Sequence, residues 1–373
     1  MTAADGIFLA RPSTPADGIP LAVKDLLDTA GLTTTYGSAI FAEHVPATSA
    51  ESVVRLEAAG YTNVGKTNLH EFAYGTTSEN QHFGTVPNPR APGRIAGGSS
   101  GGSAAALAAG LADAALGTDS GGSIRIPSAC CGTVGLKPTY DLVPTDGCFP
   151  LAPSFDHVGP MARDVATCAA QLEALVPEFR RSALESLEEL SVAVAWIDEA
   201  EPLVAARVRA AAALFPRQRR TDWPRPQIDA LFMREVADVH RELYTENAEL
   251  YGDELATKIE RCLAVSETEV SLAARAREQY REQCAEALGE DDLLVTPTLQ
   301  CVAPPTGVGD LALRVTLIRN TLPFNTLGWP ALALPCGAAE EGLPASVQLV
   351  GRPGADALVL AAGERLERAL LSA

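Results

Sequence analysis

The sequence predicts an α/β sandwich, and three observations support this. Short β-like runs alternate along the chain with helical ones, as expected where strands and helices follow one another. The chain has 373 residues, of which 47% are hydrophobic, enough for a large core in one or two domains. Its longest apolar runs, such as 104–112, are far shorter than the roughly 20 residues that cross a bilayer.

In the N-terminal part, predicted strands and helices follow one another up to residue 122. GIPLAVKD at 18–25 predicts a strand that ends in charge, and TNVGKTN at 62–68 predicts a strand and a turn. Between them, SAESVVRLEAAG at 49–60 shows helical spacing between a serine cap and a glycine. SAAALAAGLA at 103–112 predicts a helix of small residues that begins at a serine cap. ADAALGTDSGG at 112–122 then predicts a strand that returns to a glycine turn.

The composition changes beyond about residue 175. Charged helical segments are predicted over 201–288, interrupted by a loop at 216–226 that is rich in arginine and proline. Further predicted elements are strands at 191–197, 291–298, 331–337 and 346–351 and a closing helix at 355–370. The last of the charged helices carries one apolar stripe with steps of three or four, formed by Val270, Ala273, Ala276, Tyr280, Cys284 and Leu288.

Composition also restricts the class of partner. The net charge is −18 and basic residues are not clustered, so we expect no nucleic acid bound by this chain alone. The start of the chain lacks a basic region followed by an apolar stretch, so we expect a cytoplasmic protein without a membrane partner. Eight cysteines without a CxxC pair and five scattered histidines predict no disulfide scaffold and no metal site. Adjacent Cys130 and Cys131 are expected to be buried and reduced.

Two glycine–serine clusters, GGSSGG at 97–102 and DSGGS at 119–123, give the strongest chemical signal. The first matches the G-x-S-x-G nucleophile elbow, which needs an acid and a histidine downstream. Asp156 with His157 or His240 would have to supply them. No G-K-[ST] follows the glycines, which excludes a P-loop, and no serine stands three residues before a lysine, which excludes S-x-x-K.

A second hypothesis is a histidine-free arrangement of two serines and one lysine. The backbone N–H groups of 120–123 can converge on one point, because glycine permits the backbone angles that this needs. Such a nest can hold a developing oxyanion, with each donor worth about 10²–10³ in rate. Lys24 ends a predicted strand and can act as a base if burial lowers its pKa well below about 10.4. A surface Lys24, with glycines that merely close turns, remains the alternative at this point.

Taken together, these segments resemble the amidase signature family. The resemblance covers about residues 15–165 and 290–370. It implies an amidase-signature-type α/β fold, with a large mixed β-sheet core flanked by helices on both faces. The chain would form one domain over 1–373, in which a variable, mostly helical region at about 170–290 shapes the substrate pocket. The matching segments are GIPLAVKD, GKTNLHEFAYG, GGSSGGSAAALAAG, GTDSGGSIRIPSACCGTVGLKPT, FDHVGPMARD, LLVTPT, PFNTLGWPALALPCG and GLPASVQLVGRPG.

The resemblance also implies roles for individual residues. Ser123 would be the acylated nucleophile, Ser99 the bridging serine after a cis Gly98–Ser99 peptide bond, and Lys24 the base. The resemblance implies that Ser120, Gly121, Gly122 and Ser123 bind the oxyanion. Ser100 would support this network, and Asp119 and Arg125 would brace the nucleophile turn.

Four further positions lie in the resembling stretches. His70 stands where the A subunits of tRNA-dependent amidotransferases usually have an acidic residue, and we expect a solvated or hydrogen-bonded loop histidine. Tyr74 fits a pocket wall and a core aromatic equally well. Lys66 and Lys137 are expected to be structural or on the surface.

The resulting functional hypothesis is an amidohydrolase that cleaves a linear carboxamide or a related C–N bond without metal or cofactor. Its partner would be a small-molecule amide, and a homodimer is a common state for enzymes of this size. The alternative is the glutaminase (A) subunit of a tRNA-dependent amidotransferase complex. A catalytically silent binding protein is disfavoured, because Lys24, Ser99 and Ser123 are all present.

Overall fold

The structure is a computed structural model, and it describes residues 6–13 and 17–372. The described strands are β1 Phe8–Ala10, β2 Ile19–Lys24, β3 Tyr61–Thr67, β4 Glu79–Asn80, β5 Gly84–Thr85, β6 Ala114–Thr118, β7 Val134–Lys137, β8 Val158–Ala162, β9 Ser191–Val194, β10 Arg217–Arg220, β11 Leu293–Pro297, β12 Ala331–Ala338 and β13 Pro344–Val350. The described helices are α1 Glu51–Ala58, α2 Gly101–Ala108, α3 Arg125–Cys131, α4 Val165–Leu175, α5 Pro202–Ala212, α6 Asp229–Asn247, α7 Asp253–Leu263, α8 Glu267–Leu288, α9 Asp310–Ile318, α10 Leu322–Leu327 and α11 Asp356–Ser372. None of these helices is both long and apolar enough to cross a bilayer.

One mixed sheet organises the described part of the chain. Its eleven strands lie in the order β1-β3-β2-β6-β8-β7-β12-β13-β11-β9-β10, and β4 and β5 form a separate pair. Strands β3, β2 and β6 run parallel, as do β11, β9 and β10, while the strands between these groups pair antiparallel. The large mixed sheet expected from the sequence is confirmed.

Alternation along the strands sends side chains to both faces of the sheet. On β2, Leu21 and Val23 join the core cluster that contains α1, α4, α5 and α11 residues, whereas Ala22 between them joins the cluster that contains the alanines of α2. Strand β6 repeats the pattern with Leu116 and Ala115. Small side chains on the α2 face let this helix approach the sheet closely. Lys24 follows Ala22 by two residues and therefore faces the α2 side.

The structure differs from the sequence prediction at the segment 216–226. Residues Arg217–Arg220 form β10 rather than a loop, paired parallel to β9 at the edge of the sheet. All four side chains are exposed, so the strand has no buried face and leaves no hydrophobic alternation in the sequence. Charged side chains on an edge strand also oppose pairing with another chain.

Helix starts and one buried face also differ from the prediction. Helix α2 begins at Gly101 after Ser100, and Ser103 lies inside it, where its hydroxyl donates to Leu116 O at 2.9 Å. Helix α1 begins after Ala50, because the Ser49 hydroxyl instead accepts a hydrogen bond from Ala30 N at 3.0 Å. On α8, four of the six predicted positions are buried, Val270 and Ala276 are half-buried, and Arg277 takes a place in the buried face, donating to Thr326 O and to Ser154.

Candidate active site

Lys24 lies at the carboxyl end of β2, and Thr118 lies at the carboxyl end of the neighbouring parallel strand β6. Parallel strands end at the same edge of a sheet, which brings the two side chains together. Lys24 is completely buried, and its Nζ donates to Ser99 Oγ at 2.7 Å and to Thr118 Oγ1 at 2.6 Å. The amine is therefore surrounded by hydroxyl groups rather than by carboxylates.

The Lys24 amine has a strongly altered proton affinity. Burial lowers its pKa from the ordinary 10.5 to about 7, and the more distant charges of Asp119 and Asp156 only partly oppose this effect. A neutral amine has a lone pair that can accept a proton from a neighbouring hydroxyl. Lys24 can therefore act as a base near neutral pH, and the surface alternative for this residue is wrong.

The backbone around Ser99 is held by one side chain from outside the cluster. The Gly98–Ser99 peptide bond is cis, and Ser99 is completely buried. Ser78 Oγ donates to Ser99 O at 3.2 Å and accepts from Gly101 N at 3.2 Å. A Cβ at Gly101 would lie 2.4 Å from Ser78 Oγ, so the cluster requires glycine at this position for its close approach.

The two glycine–serine clusters are directly connected. Ser100 N donates to Ser123 O at 3.1 Å, and Ser100 Oγ donates to Thr118 O at 3.2 Å. Ser123 therefore lies beside the Ser99 cluster, with 7% of its surface exposed, while Ser99 is enclosed behind it. Within the described residues, no hydrogen bond joins the hydroxyls of Ser99 and Ser123.

A buried ion pair supports the turn that carries Ser123. Arg125 is completely buried and donates to Asp119 from Nη2 at 2.8 Å and from Nε at 3.0 Å. Burial alone would raise the pKa of Asp119, but the Arg125 charge outweighs it and holds that pKa below its usual range. The remaining guanidinium hydrogen bonds go to Thr321 O, Gln348 Oε1 and Asn325 Oδ1.

The amides predicted to bind an oxyanion are not equivalent. Gly122 N donates to Asp119 Oδ1 at 2.8 Å, so this amide already has a partner. The amides of Ser120, Gly121 and Ser123 make no hydrogen bond within the described residues and are the available donors. Gly122 has φ of 130°, and a Cβ there would lie 2.2 Å from Thr321 Oγ1. Gly122 is thus needed for the shape of the turn.

Ser123 lines a narrow cleft that shares four lining residues with a wider cavity. The cleft measures about 20 Å³ and is lined by Ser120, Gly121 and Ser123 among others. The wider cavity measures about 220 Å³, and Tyr74 is one of its walls. Both are lined by Phe232, Arg314, Ile318 and Leu322.

The structure does not form the serine–histidine–acid alternative. His157 is buried, with Nδ1 2.7 Å from Phe155 O and Nε2 3.1 Å from Lys137 Nζ. His240 Nδ1 contacts Tyr251 Oη at 2.9 Å, in an aromatic cluster. Asp156 accepts from Ser120 Oγ and from the amides of Leu151 and Ala152. Neither histidine reaches a serine of the two clusters.

The other titratable residues that the sequence singled out are buried. Lys66 pairs with Asp25 at 3.1 Å, and Lys137 donates to Pro138 O at 2.9 Å, so both are interior rather than surface lysines. His70 is 5% exposed and its Nδ1 lies 3.5 Å from Thr77 Oγ1, so the hydrogen-bonded alternative fits and the solvated one does not. Burial lowers its pKa to about 3, so it is a neutral histidine. Tyr74 combines both predicted roles, because it lies in a core cluster and lines the wider cavity. Cys130 and Cys131 are buried and free, as predicted.

Several residues of the site were not found from the sequence. Thr118 was detectable in principle, because it ends a predicted strand immediately before the DSGGS turn. Ser78, Asn325 and Gln348 act through contacts between distant parts of the chain, which no local pattern indicates. Among the described residues, no group of three or more His, Cys, Asp or Glu side chains is placed to hold a metal ion.

Comparison with known proteins shows the family of this chain. The family model described as Amidase matches residues 3–360. The A subunit of the glutamyl-tRNA(Gln) amidotransferase of Moorella thermoacetica is 35% identical, over 95% of this chain and 83% of that protein. A solved amidase structure is 36% identical with a TM-score of 0.86, over 94% of this chain and 84% of that one. The solved A subunit of the Thermotoga maritima glutamyl-tRNA(Gln) amidotransferase is 30% identical with a TM-score of 0.83, over 97% of this chain and 87% of that one. The chain therefore belongs to the Amidase family.

Proposed function

We propose that this protein hydrolyses a linear carboxamide, or a related C–N bond, to a carboxylic acid and ammonia or an amine through an acyl-enzyme on Ser123. The observation that carries this proposal is the buried contact of 2.7 Å between Lys24 Nζ and Ser99 Oγ. The low pKa of Lys24 supplies a neutral base at neutral pH. Ser123 lies beside this pair and faces the cleft.

In the acylation step, Ser123 Oγ attacks the carbonyl carbon, and its proton passes through Ser99 to the Lys24 amine. The carbonyl electron pair moves to the oxygen, which the amides of Ser120, Gly121 and Ser123 would stabilise. As the C–N bond breaks, Ser99 gives a proton to the departing nitrogen and regains one from Lys24. A water molecule then repeats the sequence and releases the acid.

The remaining predicted residues have positioning roles in this proposal. Asp119 and Arg125 fix the nucleophile turn, and Ser100 fastens the two clusters to each other. Each step uses side-chain and backbone groups of this chain, with no cofactor.

The architecture supports a single domain and a cytoplasmic location. Strands β9 and β10 from the middle of the chain extend the same sheet as the rest. Helices α6 and α7 supply Phe232 and Lys258 to the wider cavity, which supports a substrate-shaping role for 170–290. All eight cysteines are free, as is usual in a reducing compartment.

A glutaminase component of an amidotransferase complex is the second candidate function. Its support is the 35% identity to the Moorella thermoacetica protein. The two functions differ in what the isolated chain does: an independent amidase releases ammonia from simple amides without a partner. A component of a complex would favour L-glutamine, and its glutaminase activity would rise when its partner proteins are added.

The test of the proposed chemistry compares Ser99 and Ser123 with a buried serine outside the two clusters. Ser123→Ala should abolish ammonia release and the mass adduct formed with a fluorophosphonate, and Ser99→Ala should lower kcat by about 10²–10⁴-fold. Ser103→Ala is the matched control, because Ser103 is buried four residues after Ser99 and, among the described residues, its hydroxyl hydrogen-bonds only to Thr67 Oγ1 and Leu116 O. Full activity in Ser123→Ala, or equal losses in Ser99→Ala and Ser103→Ala, would contradict the mechanism.

A further inference from the structure

The wider cavity beside Ser123 has an unusual charge for this protein. The whole chain has 47 acidic and 29 basic residues. Of the four charged residues that line the cavity, Lys258, Arg261 and Arg314 are basic, and only Asp229 is acidic. The charged side chains that line this cavity are therefore mainly positive in a strongly acidic protein, which favours an anionic ligand.

The three basic residues differ in their existing partners. Lys258 Nζ is 2.9 Å from Asp310 Oδ2 and also donates to Tyr74 O, so its charge is already compensated. Asp310 in turn accepts from Thr76 N and Thr76 Oγ1 with its other oxygen. Arg261 is exposed at the rim of the cavity.

Arg314 is the basic residue that lies where the cavity meets the Ser123 cleft, since it lines both. It is half-buried, and within the described residues it makes no ion pair and donates no hydrogen bond. Its guanidinium lies 4.7 Å from the centre of the Tyr74 ring and 5.8 Å from that of Phe232. These rings hold the guanidinium by cation–π contact and leave its N–H groups available.

Apart from Arg314, the residues that line both the cavity and the Ser123 cleft are apolar. Ile318 and Leu322 line both spaces, together with Phe232. A planar guanidinium with unused donors fits a carboxylate through two parallel hydrogen bonds. Apolar walls fit the carbon chain that would connect this carboxylate to the amide.

We propose that the substrate is a linear amide that carries a carboxylate a few carbons from the scissile bond, and that Arg314 binds this carboxylate. The proposal rests on the proposed function and specifies its substrate class. Arg314 is then a specificity-determining residue, whose contribution appears mainly in KM.

The test compares amides that differ only in the carboxylate. The monoamides of succinic, glutaric and adipic acid are each paired with the straight-chain amide of equal length, from butanamide to hexanamide. We expect the wild-type protein to favour the carboxylate series. Arg314→Gln should lower kcat/KM for that series by about 10–100-fold, as for a lost hydrogen bond between charged groups, and change the neutral series less than about threefold. Arg314→Lys should restore part of the loss.

Arg319→Gln is the matched control, because Arg319 follows the same helix, pairs with Glu199 and lines neither space. It should leave both substrate series unchanged. Wild-type preference for the neutral amides, or an equal loss for both series in Arg314→Gln, would overturn the proposal while leaving the amidase chemistry intact.

A binding measurement separates this proposal from the proposed function. Glutarate, a dicarboxylate that needs no turnover, should bind to the wild-type protein in isothermal titration and bind at least about tenfold more weakly to Arg314→Gln. If the protein hydrolyses no amide but glutarate binding still depends on Arg314, the function fails and the carboxylate site stands. Glutarate binding that is equal in the two proteins would refute the site.

Discussion

Lys24 and Lys66 lie on neighbouring parallel strands, where Lys66 pairs with Val23 in the register, and both are completely buried. Their partners differ. Lys66 pairs with the Asp25 carboxylate at 3.1 Å and donates to Leu27 O and Thr34 Oγ1. In the described part of the chain, the Lys24 amine hydrogen-bonds only to the hydroxyls of Ser99 and Thr118. The same residue type at the same depth is therefore a paired structural cation in one position and a candidate base in the other.

The comparison has a simple physical basis. Burial lowers the pKa of both lysines, and at Lys66 the adjacent Asp25 charge opposes the decrease directly. A buried amine next to a carboxylate stays charged more readily than one next to hydroxyls. Burial alone therefore does not identify a lysine as a base. The absence of a carboxylate among the hydrogen-bond partners is the distinguishing feature.

The largest expected effect follows from Lys24→Met. Loss of the base should lower kcat by about 10²–10⁴-fold, the usual contribution of general base catalysis. The free energy of unfolding should stay the same or increase, because the variant no longer buries an amine that lacks a carboxylate partner. Amide turnover and urea denaturation, measured on the same preparation, check both parts. Wild-type turnover in Lys24→Met would contradict the assignment.

Lys66→Met should instead lower the stability of the protein and leave the proposed base in place. It leaves the Asp25 carboxylate buried without its cation, which should cost about 3–5 kcal/mol of unfolding free energy. The double variant Lys66→Met/Asp25→Asn should recover much of this loss, because the amide oxygen can still accept from Thr35. Denaturation midpoints of the three proteins test this. A stable Lys66→Met protein that is inactive would break the distinction between the two lysines.

A smaller effect is expected from pH. Because the Lys24 pKa is about 7 and the neutral amine is the active form, kcat/KM should be constant above pH 8. Below about pH 7, it should fall by about tenfold per pH unit as Lys24 becomes protonated. Rates for a neutral amide between pH 5 and 10 give the profile. A rate that stays constant down to pH 5, or that rises only above pH 9, would show that Lys24 is not the titrating base.

Much of the fold was predictable, because its central strands carry strong patterns. GIPLAVKD, the alanine helix and the late apolar strands each match an observed element within a few residues. Strand β10 was not predictable, because an exposed edge strand of RQRR has no buried face to constrain its side chains. The start of α2 was misplaced because close contacts with Ser78 and Asn68, distant in sequence, fix Gly101 and Gly102.

The candidate site was predictable in its members but not in its environment. The motif order identified Lys24, Ser99 and Ser123, which the structure brings to one place. Tertiary contacts decide the rest. They bury the Lys24 amine, pair the Gly122 amide with Asp119 and bring the Ser78 hydroxyl to Ser99 O. Arg314 lies in α9, a mostly apolar helix that the sequence analysis did not predict, and only the fold places it in the lining of the Ser123 cleft.

The most direct test of the central claim is the titration of the Lys24 amine itself. The chain contains only four lysines, so a protein labelled with ¹³C at the lysine Cε gives few NMR signals, and Lys24→Met identifies the signal of interest. We expect this signal to titrate with a midpoint near pH 7. A Lys24 signal that remains that of a protonated amine up to pH 9 would contradict the account, since no neutral base would then be present where Ser99 needs one.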